Sequence, residues 1–222
     1  MENQPKHNEK ENFQLERIAL FSDAVFAIAI TLLIIEIKVP EIHSQNVTDT
    51  DLGENLRHMI PKFVGFIVSF FVIGLYWLAH HRMFKYVILS NQKLLWNNLL
   101  FLLPIVIMPF STAFFSEYYK NSLRLPLGIY TITICLAGLF SFRLWRVIGN
   151  PKNKLSSGLN SVILNYNSTR ALVIPLVFII AFLLSFFTKW SFIIPPLAPL
   201  ATKLINAYFK NKHPEIMKTH YS

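Results

Sequence analysis

Asp23 is the only charged residue between Arg17 and Glu36, a stretch that is otherwise almost wholly apolar. A carboxylate in such a setting must be paired, hydrogen-bonded or wet, because an unpartnered charge in hydrocarbon is costly. Two partnerships fit the residue types. Near the start of a helix, its charge would complement the helix dipole. Inside the protein, it would accept protons from a guanidinium, an imidazole or an amide. Arg17, His80, His81, Arg82, Asn97 and Asn98 fall at the same end of their segments as Asp23, and Ser22 is its neighbour. An Asp–His or Asp–Arg network among them would tie three helices together. Glu36 ends the same stretch and could attract cations at the opposite end, beside Lys38.

Other chemistry has little to work with. His80 and His81 are adjacent, so they point in different directions on a helix and make no metal motif. Either can titrate near neutral pH and so sense protons. Cys135 is the sole cysteine, which excludes an intrachain disulfide and a cysteine-based zinc site. No phosphate-binding loop, dinucleotide fingerprint, HExxH or serine elbow is present, and the chain reads as a non-enzyme without cofactors. The carbonyl filter signature of classical potassium channels is absent too.

The elements that must position these residues are set by composition. The 222 residues are 53% hydrophobic and only 15% charged. The apolar residues fall in blocks of roughly 20, the length a helix needs to cross a bilayer core of about 30 Å. Six spans follow: 18–37, 60–79, 94–115, 125–145, 171–187 and 192–208. The last begins near Pro195 or Pro196, since proline suits a helix start better than its interior. Pro104 and Pro109 kink the third span and Pro175 the fifth, as membrane helices tolerate. Residues 1–16 form a polar N-terminal segment, 17–209 one transmembrane domain and 210–222 a polar tail. Residues 52–59 can extend the second span as an amphipathic turn, and 152–167, rich in Ser and Asn, reads as a loop. Tyr76, Trp77, Trp96, Tyr118, Tyr119, Trp145 and Trp190 are read as interfacial anchors. Asn46-Val47-Thr48 fits a glycosylation acceptor.

Charge sets the expected orientation. With six spans both termini share a side, and that side carries fifteen of the 21 basic residues if the N-terminus lies on it. The positive-inside rule makes it cytoplasmic, in a multi-pass protein of the cell membrane. The net charge of +9 thus reflects topology, with lipid rather than nucleic acid as the partner.

On a helical wheel of the first span, Arg17, Phe21, Val25, Ile28, Leu32 and Ile35 share one stripe, and Asp23, Phe26, Ile30 and Leu33 fall roughly opposite. If Asp23 faces the interior, the aliphatic stripe faces lipid, a subunit interface or a pore. Thr31 lies beside it and can bond its own helix backbone.

Residues 17–36, RIALFSDAVFAIAITLLIIE, resemble the first helix of the transmembrane protein 175 family, with its Arg-xxx-Phe-Ser-Asp signature intact as Arg17, Phe21, Ser22 and Asp23. The His80-His81 region, the Trp96-Asn97-Asn98 start of the third span and the order of six spans are similar as well. The resemblance implies an all-α potassium-permeable channel without a carbonyl filter, with six helices per subunit in a homotetramer whose first helices line the pore. It implies that Phe21-Ser22-Asp23 joins a polar network near the cytoplasmic side, with His80, His81, Trp96, Asn97 and Asn98 as partners. It puts the hydrophobic constriction at Ile28, then Leu32 and Ile35, with Thr31 alongside and Glu36 in the outer vestibule. No metal is implied beyond permeating potassium. A small secondary transporter and a membrane scaffold without transport are the competing readings.

Overall fold

A computed structural model describes residues 4–40, 48–118, 123–188 and 198–214. The elements are α1 (Gln4–Ile35), α2 (Asp49–Phe84), α3 (Gln92–Glu117), α4 (Arg124–Ile148), a short 3-10 turn (Pro151–Asn153), α5 (Ser161–Ala171), α6 (Val173–Leu184) and α7 (Ala198–Lys212). Among the described residues, five helices are long and apolar enough to cross a membrane: α1 to α4, and α5 with α6 as a single span. The chain is a multi-pass membrane protein. The sixth expected span is represented by the fifteen residues of α7. Its predicted start at Pro195 or Pro196, and Asn46, Tyr119 and Trp190, lie outside the described residues.

Local chemistry explains where the helices begin. Thr48 caps α2 in a capping box: the Asp51 amide donates to Thr48 Oγ1 at 3.3 Å and the Thr48 amide donates to Asp51 Oδ2 at 3.0 Å. The 52–59 stretch is accordingly helical. Asn91 caps α3, its Oδ1 accepting from the Leu94 amide at 2.9 Å. Asn160 does the same for α5 through the Val162 amide at 3.0 Å. That cap corrects the reading of 152–167 as a loop: from Ser161 the chain is helical, and Tyr166 and Asn167 are buried within it.

The bundle is organised around α3 and α4, which pack along their length, with α1 and α2 against α3 and α5–α6 against α4. A second correction concerns the aromatics. Tyr76 and Trp145 are not interfacial anchors but core residues, and the Tyr76 hydroxyl donates to the Ile134 carbonyl at 3.1 Å. A phenol inside a bundle needs such an acceptor, and the α4 backbone supplies it. A polar node lies deeper. Thr112 Oγ1 donates to the Met108 carbonyl at 2.7 Å, so Ser69 donates to Thr112 and accepts from Tyr130, both at 2.7 Å. It joins α2, α3 and α4. At the end of the bundle where α2 and α4 finish, their following loops pair between Val87 and Ser156, with Ile88 N–H on the Leu155 carbonyl at 2.8 Å.

The fifth span is interrupted at Leu172 because Pro175 has no N–H to give the Ala171 carbonyl. Gly138 of α4 packs against this break. A Cβ there would overlap the Pro175 ring and stand 2.9 Å from the Ala171 oxygen, whereas a Cβ on Gly74 of α2 would meet nothing within 4 Å. Gly138→Ala is therefore expected to destabilise by about 1–3 kcal/mol, as overpacking does. Gly74→Ala should be neutral or stabilising by about 0.5–1 kcal/mol, since alanine favours the helix. Thermal unfolding of the two variants in detergent checks the contrast.

Candidate functional site

The polar residues of α1 act by their depth around the helix. Ile18, Ser22, Phe26, Ala29 and Leu33 form the buried stripe, spaced by three or four residues. Ser22, not Asp23, is thus the interior residue, which corrects the expected placement of the carboxylate. Asp23 is exposed on one flank of this stripe, where the Trp77 indole N–H donates to its Oδ1 at 2.9 Å. The opposed flank carries Phe21, Ile28, Leu32 and Ile35. Asp23 and the aliphatic stripe do lie on opposed sides, as the wheel requires, but the packed face runs between them.

Ser22 begins a chain of hydrogen bonds whose direction is determined. A carbonyl oxygen only accepts, so the Ser22 hydroxyl donates its proton to the Ile18 carbonyl at 2.8 Å. Ser22 Oγ must then accept from Asn98 Nδ2 at 2.9 Å. That orients the amide so that Asn98 Oδ1 accepts, and His80 Nε2, at 2.9 Å, carries the proton it donates. His80 is 1% exposed and enclosed by rings: Phe84 with centroids 4.4 Å apart, and Phe26 and Phe101, each at 5.8 Å. This Ser22–Asn98–His80 relay joins α1, α3 and α2, and it fixes how α1 is rotated on its neighbours.

The other expected partners stay outside it. His81 is exposed, 6.0 Å from the Trp77 ring. Trp96 is exposed, and Arg17 lies over Phe13 at 5.9 Å. Asn97 is buried but donates to its own helix, to the Lys93 carbonyl at 2.7 Å, and its Oδ1 has no hydrogen-bond partner among the described residues. Adjacent residues diverge by about 100° on a helix, so only one of each pair His80-His81 and Asn97-Asn98 can enter the relay. Trp77 was missed by sequence reasoning, although it lies three residues, nearly one turn, before His80 on the same helix. Trp77→Phe removes the indole donor to Asp23. On an exposed carboxylate the loss is expected to be modest, about 1 kcal/mol or less, and Asp23→Asn, which keeps an acceptor, should cost less still. Melting temperatures of both variants check this.

On the aliphatic flank, Ile28 is 58% exposed, Leu32 39% and Ile35 65%. Thr31 donates to its own helix, with Ala27 and Ile28 carbonyls at 3.1 and 2.9 Å. The face therefore offers alkyl groups and no unspent donor. Past its end, Glu36 lines a cavity of about 470 Å³ with Lys38, Lys62 and Glu117, the last two in an ion pair at 2.6 Å.

Comparison with known proteins follows the same helices. A family model described as the endosomal/lysosomal potassium channel TMEM175 matches residues 17–109, the stretch that contains every member of the relay and Trp77. A potassium channel of Chamaesiphon minutus is 33% identical over 81% of this chain and 88% of its own length. The chain belongs to the TMEM175 family. A second TMEM175-family relative, a potassium channel of Streptomyces collinus, is 36% identical over 58% of this chain, and the match spans 62% of that protein. The crystal structure of a lysosomal potassium-selective channel TMEM175 homologue from Chamaesiphon minutus has the same fold, with a TM-score of 0.67 and 29% identity over 90% of this chain and 97% of that one.

Proposed function

We propose that this chain is a potassium-permeable cation channel whose pore is lined by α1 from several copies, in a homotetramer. The carrying observation is the division of α1: one stripe locked into the subunit by Ser22, and an alkyl flank beside it that the subunit leaves uncovered. Relatives named as potassium channels support reading that flank as pore rather than lipid surface. Ile28 from each copy then forms the tightest ring, with Leu32 and Ile35 further out. An alkyl ring hinders ions by dewetting and by the cost of partial dehydration, without a carbonyl filter. Modest preference for potassium over sodium follows, since potassium gives up water more cheaply. The excess of basic residues at the end holding Arg17, Arg82 and Arg143 supports an orientation with both termini in the cytoplasm of a cell-membrane protein. Glu36 is at the outer mouth, where it lowers the potential for cations, and Lys38 in the same cavity partly offsets it.

Bilayer recording with potassium on one side and sodium on the other tests this reading. Unitary currents with a reversal potential displaced toward that of potassium are expected. Silent bilayers with saturable electroneutral exchange in a proteoliposome flux assay would make the protein a carrier, and absence of both current and flux would leave a scaffold.

A further inference from the structure

Between Glu54 and Glu215 the only carboxylate is Glu117, which closes α3 at the end of the bundle away from His80. Helices α2 to α7 therefore carry basic residues and no acidic side chain of their own at their Arg82 end. Topology accounts for an excess of positive charge there, but not for two arginines converging on one internal space. Arg82 of α2 and Arg170 of α5 both line a cavity of about 40 Å³, together with Ser141 of α4. The Ser141 hydroxyl is fully buried and has no hydrogen-bond partner among the described residues. A buried polar atom left so requires an explanation, and a role in binding a ligand is one. Arg170 is held in place: its Nη1 donates to the Tyr166 hydroxyl at 3.1 Å, and that hydroxyl donates to Asn206 of α7 at 2.7 Å. One of its five N–H groups is spent there.

We propose that this cavity binds the phosphate of an anionic phospholipid headgroup. At roughly 10–15 Å³ per enclosed water, the cavity admits a group of about three water-sized atoms, which suits the oxygens of a single phosphate and excludes a folded metabolite. Two guanidiniums and one hydroxyl are the donors such a group takes, and arginine pairs with phosphate through two parallel bonds. Basic pockets between membrane helices recognise anionic headgroups by this chemistry. The site is independent of the reading of α1 as a pore.

The test is lipid retention by the full-length protein in detergent, read by native mass spectrometry. Phosphatidylglycerol and phosphatidylcholine are offered in equal amounts, with and without inorganic phosphate. The expected result is at least tenfold preference for phosphatidylglycerol, falling to twofold or less in Arg82→Gln/Arg170→Gln. Lys203→Gln/Lys210→Gln removes the same charge outside the cavity and should keep the preference. Arg82→Lys and Arg170→Lys, which preserve charge, are the variants of choice if the double variant does not fold, and each should lose threefold or more. Displacement of the lipid by millimolar inorganic phosphate supports the site and shows that a soluble phosphate also fills it; no displacement supports the site as lipid-specific. Equal retention of both lipids by the parent protein overturns the proposal, as does a preference that survives loss of both arginines.

Discussion

With Ile28 changed to asparagine, reconstituted protein is expected to pass potassium about tenfold faster, equivalent to lowering the barrier by about 1.4 kcal/mol, and to discriminate less between potassium and sodium. The physical cause is wetting. An isoleucine ring has no lone pair or N–H to replace the water that a cation sheds, and a narrow alkyl constriction tends to empty of water. An amide carbonyl at the same depth supplies an oxygen ligand and keeps the gap wet. Ile34→Asn is the necessary contrast. Ile34 is 46% exposed, and six residues at about 100° each put it about 120° away from Ile28 around α1, on the Asp23 flank. A pore lined by the Ile28 flank predicts raised flux in the first variant and unchanged flux in the second. If α1 meets only lipid there, the two variants behave alike. Flux equal to the parent in a folded Ile28→Asn protein would remove the constriction from this flank.

The helices were legible because hydropathy and length are local properties: a block such as residues 63–79 holds no charge and has no alternative but to be buried or in lipid. The boundaries were less so. The Thr48 and Asn160 caps lie in polar stretches whose composition resembles a loop, and only the bond to the following amides distinguishes a cap from a turn. The site was half legible. The types around Asp23 were right, since a network does cross α1, α2 and α3 near this residue. The sequence could not say that the packed face is centred on Ser22. Ser22 stands in one motif with Asp23, but wheel positions 22 and 23 differ by about 100° and cannot share the packed face. Which of two adjacent residues points inward depends on the partner helices, and that is tertiary information. The same holds for His80 against His81 and Asn98 against Asn97. Trp77 was read as an interfacial anchor, because the amphipathic character of an indole suits both roles.

Asn98→Leu is expected to destabilise the protein by about 2–3 kcal/mol, because it strands a buried donor and removes an acceptor's partner at once. At this chain length that corresponds to roughly 5–10 °C in melting temperature. Leucine has nearly the shape of asparagine, so the cavity term is small and the loss is electrostatic. The two ends of the relay suffer unequally. Ser22 keeps its bond to the Ile18 carbonyl and loses only an incoming proton. His80 is buried among Phe26, Phe84 and Phe101, so a stranded Nε2 proton is held away from solvent. Removing the stranded donor as well should therefore recover most of the loss: His80→Phe/Asn98→Leu replaces both partners by apolar groups, an exchange that can be close to neutral. A double-mutant cycle gives the coupling directly, and about 1–3 kcal/mol is expected. Additive effects in that cycle would mean that the 2.9 Å contact carries no energy. The consequence reaches the opposed flank of α1. Ser22 is the point at which α1 is bonded to α3, so without Asn98 the helix is free to rotate on its packed stripe and Ile28 loses its fixed direction. Single-channel currents of Asn98→Leu should accordingly show a spread of conductance levels where the parent shows one, whereas Trp77→Phe, which loosens only the exposed Asp23 side, should leave the level unchanged.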